Sequence, residues 1–595
     1  MSMFQRIIKK MLTAQIFSAV TVMMCLVIDN MFIGRFLKEE ALAAYGLATP
    51  LLLVISATAM LLSAGSQVVC SRSIGRGLPE ETNRGYSSAV AASGAVAVLY
   101  LLILLLFRSP LTSFLGAGSE GNLFDMTRGY LLGFGIGIPG ILAALVLVPF
   151  LQMAGESTLL VISVLSMTAA DIVFDALNVL VFHGGMFGMG LASSLSYYVA
   201  VVIGIRYFFS KRCAFRFSFD RVSLKIILDI LKSGIPTGVS MLNTVVLIFL
   251  INRILNGLGS TNGISAFAEI VTIGGLCNCV STGVNGVNLT LSGILYHEED
   301  RAGLHNLSVI MIRYGVMIAA AVAVILEIIA PFFVSLFIPA PGEAQDMAIT
   351  GLRMIAPALP LCTLNNVPKS AYQGMEHPVL ACVFSTVEVT VIPVLAAFLF
   401  SRAMGVTGVW LYFLSGEVLI IPLLILYIRL RTGKMPWRDD AILLLKDDFG
   451  PARGDLLEAD LHDMQEVLAF SQEAKNFCLN HSQSKLTSSR IALCIEEMAG
   501  NTVQHGFTKD SKAHGQSVRL LRKPDMWVLR FRDDCRAFDP IHYIPAEGKD
   551  ALGIRLVLGM ATQVNYTHTL NMNNLIIKLP VDGEASGPAA ESSDC

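Results

Sequence analysis

Apolar runs of roughly 20 residues, the length a helix needs to cross a bilayer, recur through the first 430 positions of this chain. No other feature restricts its fold as much. Within hydrocarbon every backbone N–H and C=O must find a partner inside the segment, so runs of this length are read as helices. Twelve spans are expected, at about 11–33, 47–70, 88–107, 129–151, 158–182, 187–209, 234–256, 264–293, 307–338, 350–373, 378–400 and 406–430. Only 15% of the chain is charged, against about 25% in a soluble average. The first run follows Arg6, Lys9 and Lys10 and is long, so it reads as a signal-anchor span and not as a cleaved signal peptide. The cysteines and histidines show no metal-ligand spacing, which argues against a zinc site or a disulfide framework.

Loop charge gives an orientation. Lys211, Arg212, Arg216, Arg221, Lys225 and Lys232 lie between spans 6 and 7, Arg72, Arg76 and Arg84 between spans 2 and 3, and Arg429, Arg431, Lys434 and Arg438 after span 12. Cationic loops stay in the cytoplasm. The expectation is a protein of the cytoplasmic (inner) membrane with both termini cytoplasmic. The halves also repeat. Val148-Pro149 with Gly155 returns as Val367-Pro368 with Gly374, Gly185 to Gly188 as Gly405 to Gly408, and Glu80-Glu81 as Glu299-Asp300, all at an offset of about 220 residues. Two six-helix lobes, about 1–210 and 230–430, are therefore expected, related by an axis along the membrane normal and enclosing a cavity between them.

Acids inside the spans are the candidates for chemistry. A carboxylate in mid-bilayer costs roughly 2.5–3.5 kcal/mol on insertion scales, so its presence points to function. Asp29 closes the first span in Val27-Ile28-Asp29-Asn30-Met31-Phe32-Ile33-Gly34-Arg35. Asp171 and Asp175 are four apart in span 5, one above the other on one helix face. Joint ionisation there is unfavourable, so the pair should take a proton or share a cation. Depth places Ser193 of span 6 near them. Hard oxygen ligands with little positive charge suit a proton or a sodium ion. Glu327, Glu388 and Glu417 lie in second-half spans and are expected to be scattered and unpaired.

The stretch IDNMFIGRFLKEEALAAYGLATP resembles the first-helix signature of the MATE family of multidrug and toxic compound extrusion transporters. DIVFDALNVLVFHG resembles that family's fifth helix, with Asp175 on its aspartate and Asp171 in place of its asparagine. GMGLASSLS resembles the start of its sixth helix, with Ser193 near a threonine of the cation site. The resemblance covers roughly 1–430. It implies cation-coupled antiport of organic compounds, with H+ or Na+ as coupling ion. The glutamate some members carry in the seventh helix is missing, since 234–256 hold no acid.

Composition changes near 431. Residues 431–454 read as a linker, 455–580 as a mixed helix and strand module, and 581–595 as a disordered tail. Helices are expected at 463–480, about 484–505 and near 551–562. Strands are expected at 455–461 and near 516–522, 526–533, 564–570 and 574–580. Glu497, Asn501 and His505 recur at four-residue spacing on one helix face. An asparagine and a carboxylate so placed can hold magnesium and orient a hydroxyl toward a γ-phosphate. With Asp533 and Gly553 downstream, the order resembles the Bergerat ATP-binding fold, closest to the anti-sigma-factor serine kinases. That resemblance implies an α/β sandwich, and the even span count with a cytoplasmic start puts it in the cytoplasm. It makes Asn501 the magnesium ligand, Asp533 the adenine reader and Glu497 the candidate catalytic residue. Cys535, Ala537 and Ala551 stand where the family has glycines.

No G-x-x-x-x-G-K-[ST] occurs, so a P-loop pump lacks its phosphate cradle. The expected function is an ion-coupled exporter of small organic, cationic substrates. Its module would bind ATP with Mg2+ or a protein partner. Besides the lipid bilayer no other partner is expected, nucleic acid included. The alternatives are a membrane sensor kinase, and a lipid-linked saccharide flippase, which the lack of arginines inside the spans disfavours.

Overall fold

The structure, a computed structural model, describes residues 3–118, 120–210, 213–338, 341–438, 440–452, 454–509, 514–544 and 551–582. Of the tail expected to be disordered, only Val581 and Asp582 lie within the described residues.

The first lobe consists of α1 (Met3–Phe32), α2 (Lys38–Gly75), α3 (Pro79–Thr112), α4 (Asn122–Ala154), α5 (Ser157–Leu177) and α6 (Gly185–Gly204). Ten stretches among the described residues are long and apolar enough to cross a membrane, and two bent pairs bring the number to twelve if each pair is one span. The second lobe holds both bent pairs. It runs through α7 (Leu224–Gly257), α8 (Thr261–Cys277), α9 (Cys279–His297), α10 (Arg301–Phe337), α11 (Glu343–Ile355), α12 (Ala358–Gly374), α13 (Pro378–Thr386), α14 (Ile392–Met404), α15 (Val406–Val409) and α16 (Tyr412–Thr432). The pair α8/α9 bends by 45° and α11/α12 by 46°, where single spans are expected from hydropathy. Hydropathy does not register a bend. Pro357 precedes α12, where its missing N–H costs nothing. Cys362 Sγ donates to Asn278 Oδ1 across 3.3 Å, tying the first break to the turn after the second.

The lobes meet where α2 crosses α7 and where α1 and α2 meet α9. The α2–α7 crossing depends on absent side chains: a Cβ on Gly65 would lie 1.9 Å from Ile230 O, and one on Gly234 2.0 Å from Leu61 O. Gln67 of α2 donates to Gly286 O of α9 (3.0 Å). Arg72 pairs with Asp229 (3.0 Å) and with Glu376, which also meets His297 (3.3 Å).

The module is a five-stranded antiparallel sheet of β1 (Leu456–Leu461), β2 (Gln516–Arg522), β3 (Met526–Asp533), β4 (Gln563–Thr569) and β5 (Met572–Pro580), in the order β1-β2-β3-β5-β4. Helices α17 (Met464–Asn480), α18 (Lys485–Asn501) and α19 (Leu552–Met560) share its core, where Phe470, Ile491, Ile495 and Val557 meet Leu520, Trp527, Leu529 and Ile577. Period-two alternation sends Val518, Leu520, Leu529 and Phe531 into that core and Arg519, Arg530 and Arg532 to the other face. Between the last span and the module, Ala441 and Leu443 are buried, Tyr372 Oη donates to Ile442 O (2.7 Å), and Phe449 stacks on Tyr296 at 5.0 Å.

The basic face of the sheet lies on the membrane domain. Arg519 and Arg530 are direct cross-strand partners, a like-charge pair that is unfavourable alone. The acids between α9 and α10 relieve it. Arg530 and Arg532 both hold Glu298, Arg519 holds Asp300 (2.8 Å), and Lys523 holds Glu299 (3.1 Å). Burial pushes Arg530 down to about 10 against the pull of Glu298. Burial of Asp300 is outweighed by Arg519, so its carboxyl stays below its usual value. The β4–β5 turn meets the other lobe. Leu570 and Asn571 both have φ of 57°, and their N–H groups donate to Met153 O (2.6 Å) and Ala154 O (3.0 Å). These are last-turn carbonyls of α4, which have no partner in the helix. Gly155 must be glycine there: its φ is +83°, and a Cβ would lie 2.1 Å from Asn571 N. One module therefore grips both lobes.

Candidate ion and substrate sites

The buried stripe of α5 reads Leu160, Val164, Met167, Asp171, Asp175, the 3–4 spacing of a single helix face. The two acids complete the face that α5 turns toward α1 and α6. Asp29 joins them from α1. One carboxylate oxygen of each lies within 4.8 Å of the others, and all three side chains are buried. Ser193 Oγ of α6 donates to Asp29 Oδ2 at 3.3 Å. The structure thus brings together all four residues singled out from the sequence. Asp29 Oδ1, Asp171 Oδ1 and both oxygens of Asp175 have no hydrogen-bond partner among the described residues. Three carboxylates this close in a dry interior do not all stay ionised without a proton or cation among them. π-turns flank the acids, Ile33–Leu37 after Asp29 and Asn178–Phe182 after Asp175. Such single π-turns within helices concentrate at functional sites.

A cavity of about 460 Å³ lies between the lobes, lined by Gln15 and Gln67 of the first and by Asn278, Lys369, Glu388 and Glu417 of the second. The three aspartates do not line it. Glu388 and Glu417, expected to be scattered and unpaired, come together here. Lys369 Nζ lies 2.7 Å from Glu388 Oε2, and Asn365 Nδ2 donates to Glu417 Oε2 at 2.8 Å. Glu388 sits in a third π-turn, Val387–Val391. The helices fold the three charges together from three separate spans, which spacing along one span does not reveal. Lys369 was the signal available, a lysine two residues after Val367 inside an apolar span. Glu327 stays apart, half-exposed, with Arg353 at 3.8 Å.

The MatE family model matches residues 14–177, a stretch that contains Asp29, Asp171 and Asp175 and stops short of Ser193. The structure is similar to that of a MATE crystallised in the straight conformation, with 21% identity and a TM-score of 0.67, over 72% of this chain and 96% of that one. The membrane domain has the MATE fold. An outward-facing multidrug resistance MATE family transporter of the MOP superfamily matches over the same shares at 21% identity and TM-score 0.66. A MOP superfamily transporter from Pyrococcus furiosus, whose reversed binding-pocket polarity suggests a different function for it, matches at 22% identity and 0.67, again over 72% of this chain and 96% of that one. No curated protein matches the chain in sequence. Within the membrane domain the aspartates belong to the lobe that carries the family match, and the lysine cluster belongs to the other.

The candidate residues of the module fall into two groups. Glu497 of α18 lies against the start of α19: a Cβ on Gly553 would stand 1.8 Å from Glu497 Oε2. Asn501 ends α18 just before a π-turn, Thr502–Gly506. Asp533 ends β3, buried, and its Oδ1 accepts from Asn573 Nδ2 (2.7 Å) and Cys535 N (3.0 Å). Burial raises the Asp533 carboxyl above its usual value, against the pull of those two donors. Asn573 was not singled out from the sequence; its signal is weak, the first residue of an Asn-Asn pair in β5.

Proposed function

We propose that this chain is an antiporter of the cytoplasmic membrane, exporting small organic compounds at the expense of a proton or sodium gradient. The observation that carries the reading is the buried trio Asp29, Asp171 and Asp175, three acids with no salt bridge to a cationic side chain among the described residues and with the Ser193 hydroxyl donating to Asp29. A proton or monovalent cation entering there changes the charge buried in the first lobe by one unit. That change biases the packing of one lobe against the other and so the access of the cavity between them. The test is flux in vesicles holding the full chain, with a proton or a sodium gradient imposed separately and an organic cation as cargo. One of the gradients should drive uptake, and Asp175→Asn should abolish it in folded protein. Flux indifferent to both gradients rejects the reading.

The module is assigned a regulatory role on the cytoplasmic side. What supports this is its grip on both lobes, through Glu298 to Asp300 on one and through Met153 and Ala154 on the other. A body fixed to both lobes restrains their relative motion, and a coupling of about 1–3 kcal/mol suffices to bias transport. Nucleotide is the proposed effector. Asp533, a buried acceptor at a strand end, suits the amino group of adenine, and Asn501 would hold the magnesium of bound ATP. The full chain should bind Mg-ATP, Asp533→Ala should remove that binding, and transport should differ with and without ATP. Absence of binding at millimolar ATP would leave a protein partner as the effector.

A further inference from the structure

A second pocket, of about 750 Å³, opens at the module end of the membrane domain. Three membrane-crossing stretches meet there: Arg301–Phe337 and Pro378–Met404 begin on it, and Val406–Thr432 finishes on it. The chain that leads from the last span to the module lines the rest. The lining holds four cations, Arg301, Arg431, Lys434 and Lys446, and two acids, Glu376 and Asp447. Both acids are already engaged. Glu376 is held by Arg72 and His297, and Asp447 lies 3.3 Å from Lys434 Nζ. Arg301 meets Asp440 at 3.6 Å. Arg431 and Lys446 are exposed and have no ion pair among the described residues.

The same pocket is apolar on the side of the spans. Val379 and Val383, one turn apart on α13, line it and are 76% and 56% exposed. A soluble anion would use the cations and leave these valines bare. A ligand with a charged head and a hydrocarbon chain uses both.

We propose that this pocket holds an anionic phospholipid, its phosphate headgroup on Arg431 and Lys446 and an acyl chain along Val379 and Val383. Basic pockets between spans at a membrane surface take anionic headgroups by the same electrostatics. Arg431 belongs to the last span and Lys446 to the chain that leads to the module, so one headgroup ties the two together at the base of the module. The site requires a chain that spans the membrane and nothing of the export reading.

Native mass spectrometry of the purified full chain in detergent reads the lipid it retains. The chain is titrated with a phosphatidylglycerol and with the phosphatidylcholine of the same acyl chains. Two cations at a headgroup should give a preference of about tenfold to thirtyfold for phosphatidylglycerol. Arg431→Gln with Lys446→Gln should bring the two lipids to within about threefold of each other. Arg429→Gln with Arg438→Gln removes the same charge from exposed positions at the same membrane end but outside the pocket, and should keep the preference. Glycerol phosphate, the headgroup without chains, should not displace the bound lipid at millimolar concentration. A wild type with no preference between the lipids overturns the proposal. So does a preference that survives Arg431→Gln with Lys446→Gln, or one lost equally in both double variants, which would leave only diffuse attraction to a basic surface. Displacement by glycerol phosphate or inorganic phosphate at concentrations comparable to the lipid's overturns the lipid and assigns the pocket to a soluble phosphate.

Discussion

The two lobes bury charge in opposite ways. The first gathers three acids beside a serine and, among the described residues, gives them no salt bridge to a cationic side chain. The second gathers two acids, gives one of them a lysine at 2.7 Å and the other an asparagine, and turns the cluster toward the cavity. Acids without a fixed counter-ion are neutralised by something that comes and goes, such as a proton or a cation. An acid with a built-in counter-ion keeps its charge balanced whatever the gradient does. On the reading proposed above, the first lobe is the one that exchanges the ion, while in the second only Glu388 has a built-in counter-ion and Glu417 is held by an amide. The broken helices follow the same division. Both breaks are in the second lobe, and Asn278 at the first break lines the cavity, as expected where interrupted helices form a binding site.

The largest expected effect breaks the first half of this comparison. Asp175→Asn should abolish gradient-driven export while leaving thermal stability in detergent unchanged or raised, since one of three crowded like charges is gone. A variant that keeps wild-type flux would show that the trio is not the coupling site. Lys369→Met should do the reverse to stability. Removing one partner of a buried pair costs about 3–5 kcal/mol, read as a lower unfolding midpoint in detergent. Adding Glu388→Gln should recover most of it. Equal stability responses in the two lobes would dissolve the distinction.

Much of this contrast was legible in the sequence, and its limits have physical causes. Asp171 and Asp175 lie on one helix, so local spacing gave their shared face, and hydropathy marked Asp29 as anomalous. The module was equally readable: strands expected near 516–522 and 526–533 occur as Gln516–Arg522 and Met526–Asp533, because period-two burial is a local signal. The Lys369 cluster was not readable. Its members lie on three spans, and lone acids 29 residues apart, Glu388 and Glu417, carry no local sign that helix packing will join them. The docking face is present in the sequence as two separate charge patterns. Arg519, Arg530 and Arg532 alternate on one face of two strands, and Glu298-Glu299-Asp300 forms an acidic run of matching size. Pairing them requires knowing that the module folds back onto the lobes.

That docking gives the next prediction, which extends the comparison from the lobes to what joins them. Glu298 is shared by Arg530 and Arg532, so Glu298→Ala leaves two buried guanidiniums facing each other. The cost should be about 2–5 kcal/mol of docking, seen as faster protease cleavage between the last span and the module. If the module restrains the lobes, flux should rise as well. Gly155→Ala attacks the contact with the other lobe through its left-handed backbone and the clash with Asn571 N, and should give the same phenotype. Cleavage without any change in flux would reduce the module to a passenger.

The smallest effect concerns the ion pairs that close the lobes at the module end. Glu376 of the second lobe is held by His297 at 3.3 Å and by Arg72 of the first lobe. The His297 hydrogen bond, opposed by partial burial and aided by the Arg72 charge, brings its carboxyl from the usual 4.5 to about 2. A lowered carboxylate value means that the closed arrangement favours the ionised form. Its contribution is therefore complete above pH 4.5 and is lost as pH falls toward 2. Glu376 is 38% exposed, so the pair is screened and is worth about 0–1 kcal/mol. Spin labels at the module ends of α2 and α12 should show the closed distance unchanged from neutral pH down to about 4.5, with a modest opening below it. Glu376→Gln should start slightly more open and show no step in that range. An opening that begins near pH 6 and survives Glu376→Gln would assign the titration to another group.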